Sequence, residues 1–476
     1  MEAIKEPSGI RLGVVRGISY GLFGPPDVFV PQARALGARL VRAYVYWGQV
    51  EPEPGHYTWE VVDALLGQMD GDEELWITVC SSSPWATRTP TRFLPSSPAL
   101  DLYRYEEFTR ALAERCRGRV RYWQCDNEPS NTSLLWAGTP EEYVRQLEAL
   151  RRAVAAVDPG AAVVLGGCGY DVFSSPEGSE ARRFFDAVLA GARDAFDLFD
   201  VHLYGDPECV PEEIEAARRM MRAHGYEKPV VAGEYNGPAP YNFPEAGAAM
   251  QETMLAAFSG PDAGKPGEAG DATPERRAMA MLYDRMASLP PELQMFMAGR
   301  SAELDARRYR MSCRGIVTRN LFALSMGVRR TACWNLGPEI PNYEDPLQMM
   351  HLLFSTFALL GYDEEGVLSV RRPTAEVFCR LAGVLEGVSE VDRLPTDDPD
   401  LRAFEIGRRG RPGLCVFWYR RDGFDAEDAP GVPVVWPWGT PSARAVDVFG
   451  NAAPTRVADG RLEIEVSATP LFVSPH

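Results

Sequence analysis

Tyr122-Trp123-Gln124-Cys125-Asp126-Asn127-Glu128-Pro129 and Val230-Val231-Ala232-Gly233-Glu234-Tyr235-Asn236 are built alike. Each is a short apolar run that finishes in a Glu and then breaks. A short apolar run bounded by turn residues reads as a buried strand. Burying the base of a carboxylate at its end is costly unless that group has a partner or a task. In a parallel barrel the functional side chains gather where strands end, so Glu128 and Glu234 mark two points on one rim.

Further runs of the same kind lie at Gly13–Ser19, Leu40–Tyr46, Leu75–Cys80, Ala162–Gly166, Leu198–Leu203 and Arg330–Trp334. With Val120–Cys125 and Val230–Gly233 they make eight, separated by longer amphipathic stretches. That alternation predicts an α/β protein with a parallel sheet, and eight is the closed count of a (β/α)8 TIM barrel. Thr139-Pro140-Glu141-Glu142 predicts a capped helix start, with Pro in the first turn and a capping-box Glu. The helix that follows is expected to stop at Asp158-Pro159-Gly160. Arg308–Met326 and Ala375–Leu385 read as the helices before the eighth strand and at the barrel's close.

The barrel is expected over residues 1–388. It carries a long insertion after the seventh strand, about residues 235–306, with helical patches at Ala248–Phe258 and Glu275–Met286 around a Gly/Pro/Asp-rich tract at Ser259–Ala272. Such an insertion either shapes the cleft or forms a peripheral or partner-binding unit. The stretch Asn335–Val370 invites the same two readings. Residues 389–476 turn β-rich: Leu401–Ile406, Gly413–Trp418, Val432–Val435, Ala443–Val448, Leu462–Val466 and the tail Pro470–Ser474 predict a small antiparallel β-sandwich.

Composition narrows the chemistry. A formal charge of −18 argues against nucleic acid or an anionic membrane surface as a partner. No run has the length of a membrane span, the N-terminus lacks a secretory pattern, and the nine cysteines are scattered, so a cytoplasmic protein with free thiols is expected. Five histidines supply metal sites or Ser-His-Asp catalysis poorly, which leaves carboxylates. Cys80, Cys125, Cys168 and Cys333 fall near strand ends and read as small interior residues. No metal or cofactor is expected. The methionines at 250, 254, 279, 281, 286, 295 and 297 read as core of the insertion helices or as a partner interface, which leaves a homo-oligomer open.

Around the two carboxylates, Arg42 on the second strand is the expected cation for Glu234, and Tyr204 a hydroxyl donor to the same group. Asn127 is placed to bond a substrate hydroxyl. Trp334, Trp47 and Trp85 read either as an apolar floor for a ring or as rim packing. His202 shares a face with Tyr204 and reads as a site or a core histidine.

Asn127-Glu128-Pro129, Glu234 and Trp334 together resemble clan A of the glycoside hydrolases. The second-strand stretch Val41-Arg42 through Trp47, then Glu51-Pro52-Glu53-Pro54-Gly55-His56-Tyr57-Thr58-Trp59, and Ser83-Pro84-Trp85-Ala86 are similar to clan members too. The stretch from Trp123 to Gly167, with Thr139 to Tyr143 and Asp158-Pro159-Gly160, is most similar to family 39. The resemblance implies a (β/α)8 barrel with a β-sandwich and a retaining enzyme, Glu128 as acid/base and Glu234 as nucleophile. It implies a β-linked oligosaccharide or glycoside substrate cut by double displacement, exo-acting and β-xylosidase-like. An endo-acting glycanase of the clan, or a carbohydrate-binding barrel without activity, are the alternatives. Two departures stand out: Ser81-Ser82-Ser83 where many clan members carry a His, and Cys125-Asp126 where an aromatic is common.

Overall fold

The structure, a computed structural model, describes residues 9–259, 273–339, 345–363, 365–408 and 413–476. Eight parallel strands form its centre: β1 (Arg11–Val15), β2 (Leu40–Tyr46), β3 (Glu74–Cys80), β4 (Val120–Cys125), β5 (Ala162–Val164), β6 (Phe199–Leu203), β7 (Val230–Tyr235) and β8 (Arg330–Trp334). Their order is β5-β4-β3-β2-β1-β8-β7-β6. Parallel bridges Val164–Leu198 and Cys168–Val201 join the two ends, closing the ring. Every residue of β2 is buried, as expected of a strand covered on both faces.

Three strands differ from expectation for local reasons. β1 ends before Gly17, because Arg16 turns away to bond Asp27 and the carbonyl of Pro338, and Gly17 takes a φ of 129°. β5 stops at Val164, and beyond it the chain runs close against β6: a Cβ at Gly167 would lie 2.1 Å from Nε2 of His202. β7 runs two residues past Gly233, which keeps Glu234 in the ladder opposite His202.

The helix Pro140–Val157 begins on the expected capping box: Thr139 Oγ1 accepts from the Glu142 amide, and Glu142 Oε2 accepts from the Thr139 amide. This helix also braces the end of β4, through Tyr143 bonded to the Cys125 carbonyl at 2.7 Å and Gln146 bonded to Asp126 at 3.1 Å. Replacing Thr139 by Ala is expected to cost about 1 kcal/mol in urea denaturation.

A small hairpin, β9 (Leu360–Tyr362) and β10 (Leu368–Arg371), follows the barrel. The C-terminal strands are β11 (Val388–Arg393), β12 (Leu401–Arg408), β13 (Leu414–Tyr419), β14 (Val432–Pro437), β15 (Ala443–Asp447), β16 (Ala452–Ala453), β17 (Thr455–Ala458), β18 (Arg461–Val466) and β19 (Leu471–Pro475). They form a sheet ordered β11-β12-β13-β19-β15-β16 and a second one ordered β14-β18-β17. Alternation decides which face packs where. Leu401, Ala403, Phe417 and Val473 meet Val434, Leu462 and Ile464 between the two sheets. Phe404 and Trp418 face the other way, stacked at 5.0 Å and edge-on to Phe322 of the helix Ala302–Ser325.

The insertion after β7 builds its own core. Helices Pro244–Ser259 and Pro274–Asp284 enclose Met279, Leu282, Leu293, Met295, Phe296 and Met297, closed off by Leu352 and Phe424. Met279, Met295 and Met297 are therefore interior, whereas Met281 is exposed. Residues 260–272, most of the Gly/Pro/Asp-rich tract, and residues 340–344 lie outside the described residues. Among the described residues, no helix is long and apolar enough to cross a membrane.

Candidate active site

The ends of β2, β4, β6 and β7 converge on Glu128 and Glu234. At the end of β4 the backbone turns sharply: Asp126 and Glu128 adopt positive φ of 50° and 38°. Such a turn is unfavourable for residues with a side chain, and Asp126 holds it. Its carboxylate accepts the amide and hydroxyl of Ser81, both at 2.8 Å, and the Gln146 amide at 3.1 Å. Burial pushes the Asp126 carboxyl up to about 6 against these bonds. The run Ser81-Ser82-Ser83 is thus fully buried scaffold, tying β3 to the turn that presents Glu128.

Glu234 is held by three side chains. Arg42 Nη1 donates to its Oε1 at 2.6 Å, Tyr44 Oη to the same oxygen at 2.8 Å, and Tyr204 Oη to Oε2 at 2.6 Å. Arg42 also donates to Asn127 Oδ1 at 2.7 Å and to Gln124 Oε1 at 2.7 Å. With no exposed surface, Arg42 sits beneath the carboxylate inside the barrel, so it positions Glu234 and does not reach a ligand.

His202 lies between the acids. Its Nδ1 is 2.5 Å from Glu128 Oε1 and 3.5 Å from Glu234 Oε2, and its Nε2 is 3.2 Å from Asp200 Oδ2. Only the imidazolium donates to a carboxylate at both nitrogens. Burial opposes that charge, but Glu234, Asp200 and Glu128 lift His202 to about 10. Asp200 is fixed in turn by Gln124 at 2.8 Å and by the Gly233 amide. A Cβ at Gly233 would approach Asp200 Oδ2 to 2.4 Å, which explains the glycine before Glu234.

This environment splits the two carboxyls. Burial works against ionisation of Glu234, but His202, Arg42 and the hydroxyls of Tyr204 and Tyr44 outweigh it and bring the group below its ordinary value. For Glu128 burial prevails: with repulsion from Glu234 and Asp171 it overrides the pull of His202 and raises the carboxyl. Glu128 is also the more accessible of the pair, its side chain 17% exposed against 6% for Glu234. Facing oxygens of Glu128 and Glu234, with a His202 nitrogen, lie within 4.8 Å of one another. Three such atoms have the spacing of a metal site, but a cation would have to displace the His202 proton that Glu128 and Asp200 stabilise. The set suits proton transfer better.

The structure brings Arg42, Asn127, Glu128, His202, Tyr204 and Glu234 together in one cluster. Trp334 flanks it: the indole packs edge-on to Phe354 at 4.8 Å and Phe357 at 6.0 Å, and Phe357 stacks on Tyr204 at 6.1 Å. Trp47 and Trp85 sit elsewhere. Trp47 is fully buried, stacked on Phe108 at 5.3 Å, with its Nε1 donating to Glu51. Trp85 packs edge-on to Trp47 and donates to the Glu51 carbonyl. Trp47 belongs to the layer between sheet and helices and the partly buried Trp85 packs against it, which favours packing over a floor for substrate. Tyr44, Gln124 and Asp200 escaped the sequence reading, although each follows the period-two parity of its strand: Tyr44 with Arg42, Asp200 with His202 and Tyr204. A cavity of about 540 Å3 lies beside this cluster, bounded by Gly205–Glu208, Arg314–Arg319 and Trp418–Gly423, and none of the cluster's side chains lines it.

No family model matches the sequence, and no curated protein does. Solved structures do. A family 39 glycoside hydrolase from Bacteroides cellulosilyticus is 15% identical, with a TM-score of 0.62 over 98% of this chain and 81% of that one. A monomeric β-xylosidase from Caulobacter crescentus is 12% identical, with a TM-score of 0.59 over 100% of this chain and 98% of that one. A family 51 α-L-arabinofuranosidase from Bifidobacterium longum is 11% identical, with a TM-score of 0.58 over 99% and 98%. At these identities the likeness establishes the fold: a (β/α)8 barrel with an appended β-sandwich, built as in the family 39 glycoside hydrolases.

Proposed function

We propose that the chain is a retaining O-glycosidase that cleaves β-linked glycosides by double displacement. The observation that carries this reading is the facing pair Glu128 and Glu234, with oxygens within 4.8 Å and carboxyls displaced in opposite directions. Retaining enzymes place their carboxyls about 5–5.5 Å apart, whereas inverting ones leave room for a water between them. In the first step an oxygen of Glu234 attacks the anomeric carbon as the glycosidic C–O bond breaks, and Glu128 gives its proton to the departing oxygen. In the second, Glu128 takes a proton from water, which attacks the same carbon and releases Glu234. His202 holds Oε1 of Glu128, leaving Oε2 for the travelling proton. Asn127 spends its amide oxygen on Arg42, so its NH2 is the donor for a substrate hydroxyl. An exo-acting, β-xylosidase-like specificity is proposed by analogy with the Caulobacter enzyme.

The test is a panel of 4-nitrophenyl glycosides, β-xyloside first, with NMR detection of the first anomer released. The expected anomer is β. Release of the α anomer from a β-glycoside overturns double displacement, and no turnover of any glycoside overturns the enzyme reading.

The pH dependence of kcat/KM follows from the same split. Activity requires Glu234 ionised and Glu128 protonated. The acid limb is therefore expected below the ordinary glutamate value of about 4.3, and the alkaline limb above it. His202, protonated up to about 10, adds no limb between them. In Glu128→Gln the alkaline limb should vanish and the acid limb stay.

A further inference from the structure

We propose that Tyr170 and Tyr241 form the platform on which the leaving group of the substrate lies, so that the enzyme favours glycosides whose leaving group presents a flat, C–H-rich or aromatic face. This rests on the proposed role of Glu128 as the acid, because whatever flanks the acid on its open side touches the group it protonates.

Five observations place the two rings there. Gly169, immediately before Tyr170, abuts the acid: a Cβ at that position would lie 3.1 Å from the Glu128 carboxyl carbon. The Tyr170 ring lies over Gly205, the residue after Tyr204, where a Cβ would come within 3.2 Å of Tyr170 Cε2. Tyr241 belongs to the turn Pro240–Asn242 at the start of the insertion, and Asn242 ties that turn to the site by donating to the Tyr204 carbonyl at 3.2 Å. The two rings then stack on each other, centroids 5.0 Å apart and planes inclined by 30°. Burial raises the Tyr241 hydroxyl, and the charges of Glu128 and Glu234 add to it, so that hydroxyl lies within electrostatic reach of both carboxylates.

Both rings are only partly buried, and both border the apolar cluster that contains Tyr204 and Trp334. Aromatic rings left partly exposed beside a general acid are an unfavourable surface until something flat covers them. A pyranose ring and an aryl group share the chemistry that does so, and substrates can tell them apart.

The experiment compares wild type with Tyr170→Ala, Tyr241→Ala and the corresponding Phe variants. The substrates are the 4-nitrophenyl glycoside of the sugar turned over fastest, the disaccharide of that sugar and its glycosyl fluoride, whose leaving group has no face to stack. In the Ala variants, the ratio of kcat/KM for nitrophenyl glycoside over fluoride should fall roughly 5- to 10-fold, and the Phe variants should restore it. kcat for the nitrophenyl glycoside should change less than kcat/KM, because the leaving group has gone before the second step. A matching fall for the disaccharide identifies a sugar-ring acceptor, and a fall confined to the nitrophenyl glycoside identifies an aromatic one. An unchanged ratio, or equal losses on all three substrates, overturns the platform while leaving the assignment of Glu128 and Glu234 in place. Failure of the wild type on every glycoside removes both.

Discussion

Glu234→Gln is expected to lower kcat by on the order of 10^4-fold or more, without loss of the fold. Gln keeps the shape of Glu: its amide oxygen still accepts from Arg42 and Tyr44, and its NH2 faces the Tyr204 hydroxyl, so the change removes the nucleophile and the charge that partners Arg42. Circular dichroism should be that of the wild type. The companion change Glu128→Gln separates the two roles. An acid matters most when the departing oxygen is strongly basic, so its removal should cost about 10^2- to 10^4-fold on a disaccharide and far less on a nitrophenyl glycoside. On the nitrophenyl substrate the glycosyl-enzyme should then accumulate, since no base activates water. Azide needs no base, and its addition should speed turnover of the Glu128 variant and yield a glycosyl azide of retained configuration. Azide that rescues neither variant, or a Glu234→Gln enzyme with full activity, removes the double-displacement mechanism.

Much of this site is legible in the sequence, and the parts that are not have physical causes. Strands such as Leu40–Tyr46 and Val120–Cys125 are unbroken apolar runs because helices cover one face and the barrel interior the other. A polar residue in such a run or at its end is conspicuous, which singles out Arg42, His202 and Tyr204. Gln124 and Asp200 carry the same signal, and strand parity would have found them. Trp47 lies beyond reach of parity, because the chain coils into the short helix Trp47–Val50 at that residue and swings the indole back toward Phe108. Tyr241 comes from a turn in the long insertion and Tyr170 from a short helix after β5. Neither has a register to read, so only tertiary packing brings them to Glu128. The serine run at Ser81 illustrates the reverse case: a departure from the resembled family that belongs to the scaffold of the β4 turn.

Arg42→Met is expected to destabilise the protein by about 3–5 kcal/mol at neutral pH, because it takes from the buried Glu234 carboxylate the cation bonded to it and leaves only His202, at 3.5 Å. Met fills much of the same volume, so packing loss is the smaller part. The pH dependence identifies the cause. In the wild type the folded Glu234 carboxyl is lowered, so the stability it contributes is present above its unfolded value of about 4.3 and is lost only as pH falls through the lower folded one. Without Arg42 burial is opposed only by His202 and the hydroxyls of Tyr204 and Tyr44, so the Glu234 carboxyl moves up from its wild-type value. The variant then pays its penalty at neutral pH and sheds it as Glu234 takes up a proton on acidification. Urea denaturation at pH 7.5 and pH 5 should therefore show a gap between the two proteins that narrows at the lower pH. The double variant Arg42→Met/Glu234→Gln should recover a large share of the loss at pH 7.5, since both charges are then gone. A gap of equal size at both pH values, with no recovery in the double variant, would mean that Arg42 supports the barrel through its bonds to Gln124 and Asn127 and not through Glu234. Activity distinguishes the outcomes as well: with Glu234 raised from its wild-type value, the acid limb of kcat/KM in Arg42→Met should move to higher pH, a displacement that a purely structural role would not produce.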